Sequence, residues 1–392
     1  MSTVTLEAGF IPLVDCAPLA IAREIGFAEE EGLNLELSPA PSWSSLRDQL
    51  ALGQIDAAHM LAPVPIAMAL GLGGLPADID ALAIMSINGN VVGVSEAIAA
   101  RLDTQDYGFD FEDATIAGKA LMATTQGRLR VGVPFPFSIH AELVFHWLGA
   151  LGMRVPQELD VRTVPPPQMA QALANGEIDA FCVGEPWGSI AVEGGHGALL
   201  LPGAAIWAGA PEKVLAARRD WVEADRARAE QLIRAVWRAQ RWLARPENLS
   251  TASDILARSD YVGVSADVIE RALTGQLVVT ADGRRRHVPG FLRFFDGAAG
   301  FPWRSQALWI ADRLAGRTGL DRSMAARSAR RVFRSDLYRA ALDRTTADLP
   351  GASEKVEGAI LEPTPVASQR GTLTLARDAF FDGTVFDPEH SE

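Results

Sequence analysis

Short apolar runs alternate with amphipathic stretches along the first half of the chain. Thr3–Ala8, Leu33–Leu37, Ile55–Met60 and Ala81–Ile87 carry a strand pattern, while Ala17–Glu31, Ser44–Leu52 and Pro63–Leu70 repeat apolar residues at helical spacing. A second series follows, with strands over Arg130–Val133, Asp160–Val164 and Ala180–Val183 and helices over Ser138–Leu151 and Pro167–Asn175. Pro167 suits the first turn of its helix and Gly176 suits its stop. This rhythm predicts an α/β protein with a mainly parallel sheet flanked by helices. From Ala204 the pattern turns helical, over Trp221–Ala244, Ala266–Thr274, Trp303–Gly316 and Arg322–Ala341, and ends in an irregular tail rich in Pro, Thr, Gly and Asp.

The two series predict two lobes. Residues 1–88 plus 205–392 form lobe one, and residues 89–204 form lobe two. Open α/β sheets bind ligands at the carboxyl ends of their strands, and lobe interfaces favour pockets. The loops that matter are therefore Gly9–Cys16, Pro39–Ser45, Leu61–Pro65, Asn88–Val91, Pro134–His140 and Gly184–Trp187.

Composition narrows the chemistry. A hydrophobic fraction of 48% in 392 residues supports real cores. A net charge of -13 disfavours direct contact with nucleic acid, whose phosphates it would repel. Cys16 and Cys182 lie in no metal-binding spacing and read as buried thiols. Nucleophile-elbow, P-loop, HExxH and dinucleotide-binding motifs are all missing, so no enzyme, cofactor or metal is expected. No apolar run is long enough for a membrane span. The opening MSTVTLEAGFIPLVD has its first basic residue only at Arg23, and Glu7 and Asp15 interrupt its apolar residues. It reads as a first strand and not as a secretory leader, and the expected location is cytoplasmic.

What remains is a site for a small anion. A buried oxyanion needs convergent donors and a compensating cation. Lys213 is one of only three lysines among 36 basic residues. Read alone, it is either a solvated lysine near a helix start or a compact ammonium set against a small anion. His140 falls on the first turn of a helix that follows a strand, where free N–H groups and an imidazole can converge. It is equally compatible with simple packing. Trp43 sits between a strand and a helix, with Ser44 or Ser45 as the cap, and either closes a pocket or packs in the core. Asn88-Gly-Asn90 reads as a turn between lobes, and Gly184 permits close backbone approach. Glu185 would repel an anion unless it faces away. His59 reads as a core or loop-anchoring histidine. The arginines at 322, 327, 330, 331 and 334 read as a solvated helix face or a partner surface.

The stretches GFIPLVDCAPLAIAREIGFAEEEGL, PSWSSLRDQLALGQIDAAHMLAPVP, PPPQMAQALANGEIDAFCVGEPWG, WAGAPEKVLAARRDWV and FPWRSQALW resemble the NrtA/CmpA-type nitrate- and bicarbonate-binding proteins. They span most of the chain. The resemblance implies a type II, two-lobed periplasmic-binding-protein-like fold with the ligand in the inter-lobe cleft. It also implies a ligand set of Trp43, Asn90, His140 and Lys213, with Gly184 as a backbone contact. Asn90 stands where that family has Gln, one methylene shorter. Together with the missing leader, the chain looks like the cytoplasmic nitrate/nitrite sensors of the NasS group. That resemblance implies control of an RNA-binding, NasT-like antiterminator partner, released when nitrate or nitrite binds, and so regulation of nitrate assimilation. Two rivals stand beside it. One is a transport binding protein for nitrate, bicarbonate or another small anion. The other is an enzyme resembling the thiamin-pyrimidine synthases, which a cofactor lysine and a Cys-rich motif would mark; no such Cys cluster occurs here.

Overall fold

The computed structural model describes residues 3–155 and 157–390, so the ends of the expected lobe ranges and Pro156 lie outside the described residues. The first thirteen strands in chain order are β1 Val4–Phe10, β2 Leu33–Pro39, β3 Ala57–Leu61, β4 Ile79–Asn88, β5 Asn90–Ser95, β6 Leu129–Val133, β7 Leu159–Thr163, β8 Ala180–Gly184, β9 Gly197–Pro202, β10 Pro211–Arg218, β11 Gln276–Val278, β12 Arg285–His287 and β13 Leu292–Arg293. They build a six-stranded sheet, β13-β4-β10-β3-β1-β2, and a five-stranded sheet, β7-β6-β8-β5-β9. β3, β4 and β10 are buried on both faces, and β3 and β4 read as largely apolar runs, whereas the edge strand β2 alternates.

The sheets are mixed, which corrects the expectation of mainly parallel pairing. β1 pairs in parallel with β2 and β3, but β10 lies antiparallel between β3 and β4. In the second sheet β6 is parallel to β7 and β8, while β5 is antiparallel to β8 and β9. The antiparallel strands are those the apolar pattern did not reveal. Gly93 within β5, Gly197 at the start of β9 and the Pro–Glu–Lys opening of β10 all dilute a strand signature.

Several long helical patterns are interrupted. Ala17–Glu31 divides into helices Ala17–Glu24 and Phe27–Glu30, because Gly26 adopts φ 84°. Trp221–Ala244 becomes Arg219–Ala224 and Arg226–Leu243, where Asp225 caps the second helix by accepting from Arg228 N. Arg322–Ala341 becomes Arg322–Ala329 and Ser335–Leu342, and the residues between them bond to β4: Ala81 N donates to Val332 O, and Arg334 N to Ala81 O. The tail also holds a hairpin, Thr364–Ser368 with Gly371–Leu375. Phe380 beyond it stacks on Trp207 with ring centroids 4.8 Å apart.

The chain leaves the first sheet at β4 and enters the second at β5 through Gly89. Asn88 and Gly89 take positive φ values of 58° and 91°, conformations that Asn and Gly tolerate best. The segment leading into β10 locks this crossing: Asn88 Nδ2 donates to Ala208 O at 2.8 Å, and Asn88 N to Ala210 O at 3.0 Å. The β11–β12 hairpin also reaches the second sheet, where Leu199 N donates to Val279 O at 2.8 Å. Among the described residues, no helix is long and apolar enough to cross a membrane.

Candidate functional site

The carboxyl ends of β1, β4, β8 and the N-terminal end of β10 meet where the chain crosses between sheets, and charged side chains are buried there. Lys213 and Glu212 lie in β10, completely closed off from solvent at 0% exposure each. Consecutive strand residues normally face opposite sides. The register of β10 against β4 shifts on both sides of Lys213, so two successive side chains converge. Lys213 Nζ sits 2.7 Å from Glu212 Oε1 and 2.7 Å from Asp15 Oδ2. Asp15 belongs to a single 3₁₀ turn directly after β1, and His59 of β3 holds its other oxygen at 3.0 Å.

The second sheet supplies the facing wall. Asn90, the first residue of β5, donates its amide to Glu212 Oε2 at 2.5 Å. His140 lies on the first turn of the Ile139–Ala150 helix, whose N-cap Ser138 accepts from Ala141 N. Its Nδ1 is 3.2 Å from Glu212 Oε1. Gly184 ends β8 in register with Asn90. A Cβ there would stand 3.2 Å from Leu13 Cδ2, 3.8 Å from Asp15 Oδ2 and 3.9 Å from His140 Nε2. Trp43 reaches the cluster from the first sheet's side, with Lys213 Nζ 5.5 Å from its ring centroid. Its helix is capped by Ser42, which accepts from Ser45 N at 3.2 Å, and not by Ser44 or Ser45 as expected.

All five residues singled out from the sequence thus lie in one cluster: Trp43, Asn90, His140, Gly184 and Lys213. Lys213 is not the solvated lysine that a surface helix start would have given. Three further members were not marked as site residues: Asp15, Glu212 and His59. Asp15 had a signal, since it breaks an apolar run inside a loop already marked as important. Glu212 is adjacent to the one lysine that stood out. Glu185 is buried but turns to its own helix, where its carboxylate accepts from Ser189 N at 3.2 Å. His146 lies elsewhere, against Trp309, Phe380 and Phe381. Cys16 and Cys182 are free and buried, as expected.

Electrostatics assign the charges. Burial alone would raise the Asp15 carboxyl, but the Lys213 ammonium and His59 beside it hold it well below the usual range. Burial pulls Lys213 down, and the two carboxylates more than offset that. Burial and the nearby ammonium keep His140 neutral, far below its ordinary value, and burial likewise lowers His59. Glu212 goes the other way: burial pushes its carboxyl up, although Lys213 and Asn90 pull against it. Trp43 Nε1 and His140 Nε2 are buried without a protein partner, each a group an oxyanion can use. No cluster of His, Cys, Asp and Glu suited to a metal occurs among the described residues.

A separate groove of about 690 Å³ lies between the Ile139–Ala150 and Arg304–Thr318 helices. Its Arg313, Arg317 and Arg322 already pair with Asp312 and Glu142 and are partly open to water. There a charge is worth far less than at Lys213.

Residues 2–257 match the NMT1-like family. The chain belongs to that family. It is 31% identical over 400 residues to the nitrate/nitrite binding protein NrtA of a Nostoc species, covering 100% of this chain and 85% of that protein. It is 27% identical over 401 residues to the bicarbonate-binding protein CmpA of Synechococcus elongatus, covering 98% of this chain and 84% of that relative. Against the nitrate import ATP-binding protein NrtC of Synechocystis it is 34% identical over 318 residues, covering 80% of this chain but spanning only 46% of that longer relative. The crystal structure of the periplasmic nitrate-binding protein NrtA from Synechocystis superposes with a TM-score of 0.85 at 27% identity, covering 99% of this chain and 97% of that one. The chain is therefore a two-lobed solute-binding protein in fold and a relative of the NrtA and CmpA proteins.

Proposed function

We propose that this protein binds nitrate or nitrite between its two sheets, without catalysing a reaction, and that binding is read out as a signal. One observation carries the ligand class: a fully buried ammonium, Lys213, in one cluster with the unpartnered indole and imidazole nitrogens of Trp43 and His140. An anion bridging Lys213 to donors from both sheets favours the closed arrangement, which makes ligand affinity and lobe closure one equilibrium. Likeness to NrtA and CmpA supports a planar oxyanion of this size.

The finer part of the proposal is regulatory. In the cytoplasm, the ligand-free protein holds an RNA-binding antiterminator of the NasT type, and nitrate or nitrite releases it. The support is the resemblance to the NasS sensors, together with a net charge of -13 that leaves RNA contact to the partner. Such release needs the two lobe arrangements to differ in affinity for the partner. The competing reading is a transport binding protein, which the likeness to NrtA supports.

Titration calorimetry with nitrate, nitrite, bicarbonate and sulfate tests the ligand. Binding of another solute while neither nitrate nor nitrite binds would end this reading. Size-exclusion chromatography with the antiterminator, with and without nitrate, and fractionation of the native cells separate sensing from transport. A nitrate-dissociable complex in the cytoplasmic fraction supports the sensor; a periplasmic protein without such a complex supports transport.

A further inference from the structure

The site contains a charge that an anion receptor has no evident use for. Lys213 is the only buried cation in the cluster, and it is already matched by Asp15 at 2.7 Å and Glu212 at 2.7 Å. With both carboxylates ionised, the cluster carries one net negative charge before any anion arrives. Adding nitrate would place three negative charges around one ammonium in a site closed to water, where like-charge repulsion is weakly screened.

Every group facing Glu212 bears on this. From its own strand comes the Lys213 ammonium. From the turn after β1 comes the Asp15 carboxylate, itself held by His59 of β3. From β5 comes the Asn90 amide, a donor to Oε2. From the Ile139–Ala150 helix comes His140, with Nδ1 3.2 Å from Oε1. From β8 comes the Cys182 thiol, held protonated by burial and by the Glu212 charge. Asp15 has two cationic or donor partners and is the carboxylate that stays ionised. Glu212 is the one whose neutral form suits its surroundings.

The imidazole points the same way. Neither His140 nitrogen makes a hydrogen bond within the protein, but Nδ1 lies 3.2 Å from Glu212 Oε1, so an ionised Glu212 favours the proton on Nδ1 and leaves a lone pair on Nε2. A proton on Glu212 Oε1 lets Nδ1 accept, which returns the hydrogen to Nε2 and makes it a donor. One proton at Glu212 therefore removes the excess negative charge and also converts a second residue from acceptor to donor.

We infer that Glu212 is a binding residue in its protonated form, so that nitrate or nitrite enters together with one proton taken from solvent. Charge balances: one anion and one proton join the protein, and the site's net charge is unchanged. Glu212 also sorts ligands. Nitrate can only accept hydrogen bonds and needs the protonated acid, whereas bicarbonate carries its own O–H and can donate to the carboxylate. The inference rests on the anion-binding reading above.

Calorimetry of nitrate binding in buffers of differing ionisation enthalpy, from pH 5.5 to 9, reads the proton directly. Uptake should approach one proton per anion above the Glu212 titration. There the affinity should fall about tenfold per pH unit, the slope of a single linked proton. Difference infrared spectra should show a protonated-carboxyl stretch upon binding, absent in Glu212→Gln. That variant should bind with an affinity flat across the range. Bicarbonate at pH 8.5 should bind with no uptake. Nitrate binding without proton uptake in any buffer would overturn the inference and leave the binding reading intact. Uptake that persists in Glu212→Gln would overturn the assignment to Glu212, and equal uptake with bicarbonate would overturn the sorting role. Absence of nitrate and nitrite binding at every pH would overturn both this inference and the reading beneath it.

Discussion

Asn90 of the second sheet donates its side-chain amide to Glu212 of the first, 2.5 Å away, and so joins the two sheets at the base of the site. Replacing it with alanine leaves Glu212 Oε2 buried without a donor. Loss of a hydrogen bond to a buried carboxyl costs about 1–3 kcal/mol. Because the amide also ties the two sheets together around the site, Asn90→Ala is expected to weaken nitrate binding by roughly tenfold at the acid end of the pH range, where Glu212 is protonated with or without its donor, measured by calorimetry. Gly203 offers an independent check. A Cβ at Gly203 would lie 1.8 Å from Asn90 Oδ1, so Gly203→Ala must displace the same amide. Its affinity loss is expected to match that of Asn90→Ala; a Gly203→Ala protein with full affinity would show the amide to be irrelevant.

Removing the ammonium should be the most damaging single change. Without Lys213, Asp15 and Glu212 share a buried space with no cation between them. Lys213→Ala is expected to lose on the order of 2–4 kcal/mol of nitrate affinity, the cost of a buried anion left without its counter-charge. Retention of full affinity in Lys213→Ala would discredit the site. Thermal unfolding of the same variant separates loss of the site from loss of the fold.

Trp43 poses a finer question, because packing and hydrogen bonding can be separated there. Trp43→Phe keeps an aromatic face under Lys213 but removes the Nε1 donor, which has no protein partner. Nitrate affinity should drop by about 1 kcal/mol, a typical value for one hydrogen bond. Unchanged affinity in a well-folded Trp43→Phe would confine Trp43 to packing.

Part of this site was legible in the sequence because Trp43, Asn90, His140 and Gly184 lie at or just beyond strand ends, where α/β sheets bind ligands, and the family resemblance drew them together with Lys213. Lys213 was visible through its rarity, and His140 and Trp43 through their places at helix starts. Asp15 and Glu212 were not recognised as part of the site, since carboxylates count against an anion pocket until their partners are known. The antiparallel order of β10 was equally hidden. A strand opening Pro–Glu–Lys looks like a loop entering a helix, and only its pairing with β3 and β4 explains why a lysine is buried there. The Gly26 and Asp225 breaks were readable as stop and cap signals, but continuous helical periodicity across each outweighed them.

Glu185 gives a pH test away from the ligand. Burial pushes its carboxyl up to about 7 from an ordinary 4.5. A raised carboxyl favours the folded state below pH 4.5, and that contribution disappears as pH rises through 7, where the folded protein must ionise a buried group. The shift corresponds to on the order of 3 kcal/mol. Urea unfolding of the wild type should therefore show falling stability between pH 5 and 8 relative to Glu185→Gln, whose neutral amide can still accept from Ser189 N. Parallel pH profiles for the two proteins would refute this.

Arg317 and Glu142 carry the last prediction, which concerns closure. Glu142 lies on the Ile139–Ala150 helix beside the second sheet, two residues after His140, and is buried. Arg317 reaches it from the Arg304–Thr318 helix of the long C-terminal region, with Nη2 2.5 Å from Oε1. Burial pushes the Glu142 carboxyl up and the two nearby arginines pull it down, so the pair depends on both parts of the molecule meeting. If the lobes separate to admit ligand, this contact breaks on opening and reforms on closing. Arg317→Ala should then populate the open arrangement in the free protein, and observed affinity falls by the fraction of closed, competent molecules lost. Small-angle scattering of the ligand-free variant is expected to give a larger radius of gyration than the wild type, reversed by saturating nitrate. A variant with wild-type scattering and a weakened affinity would mean that Arg317 acts on the His140 helix locally, by holding Glu142, and not through the separation of the lobes.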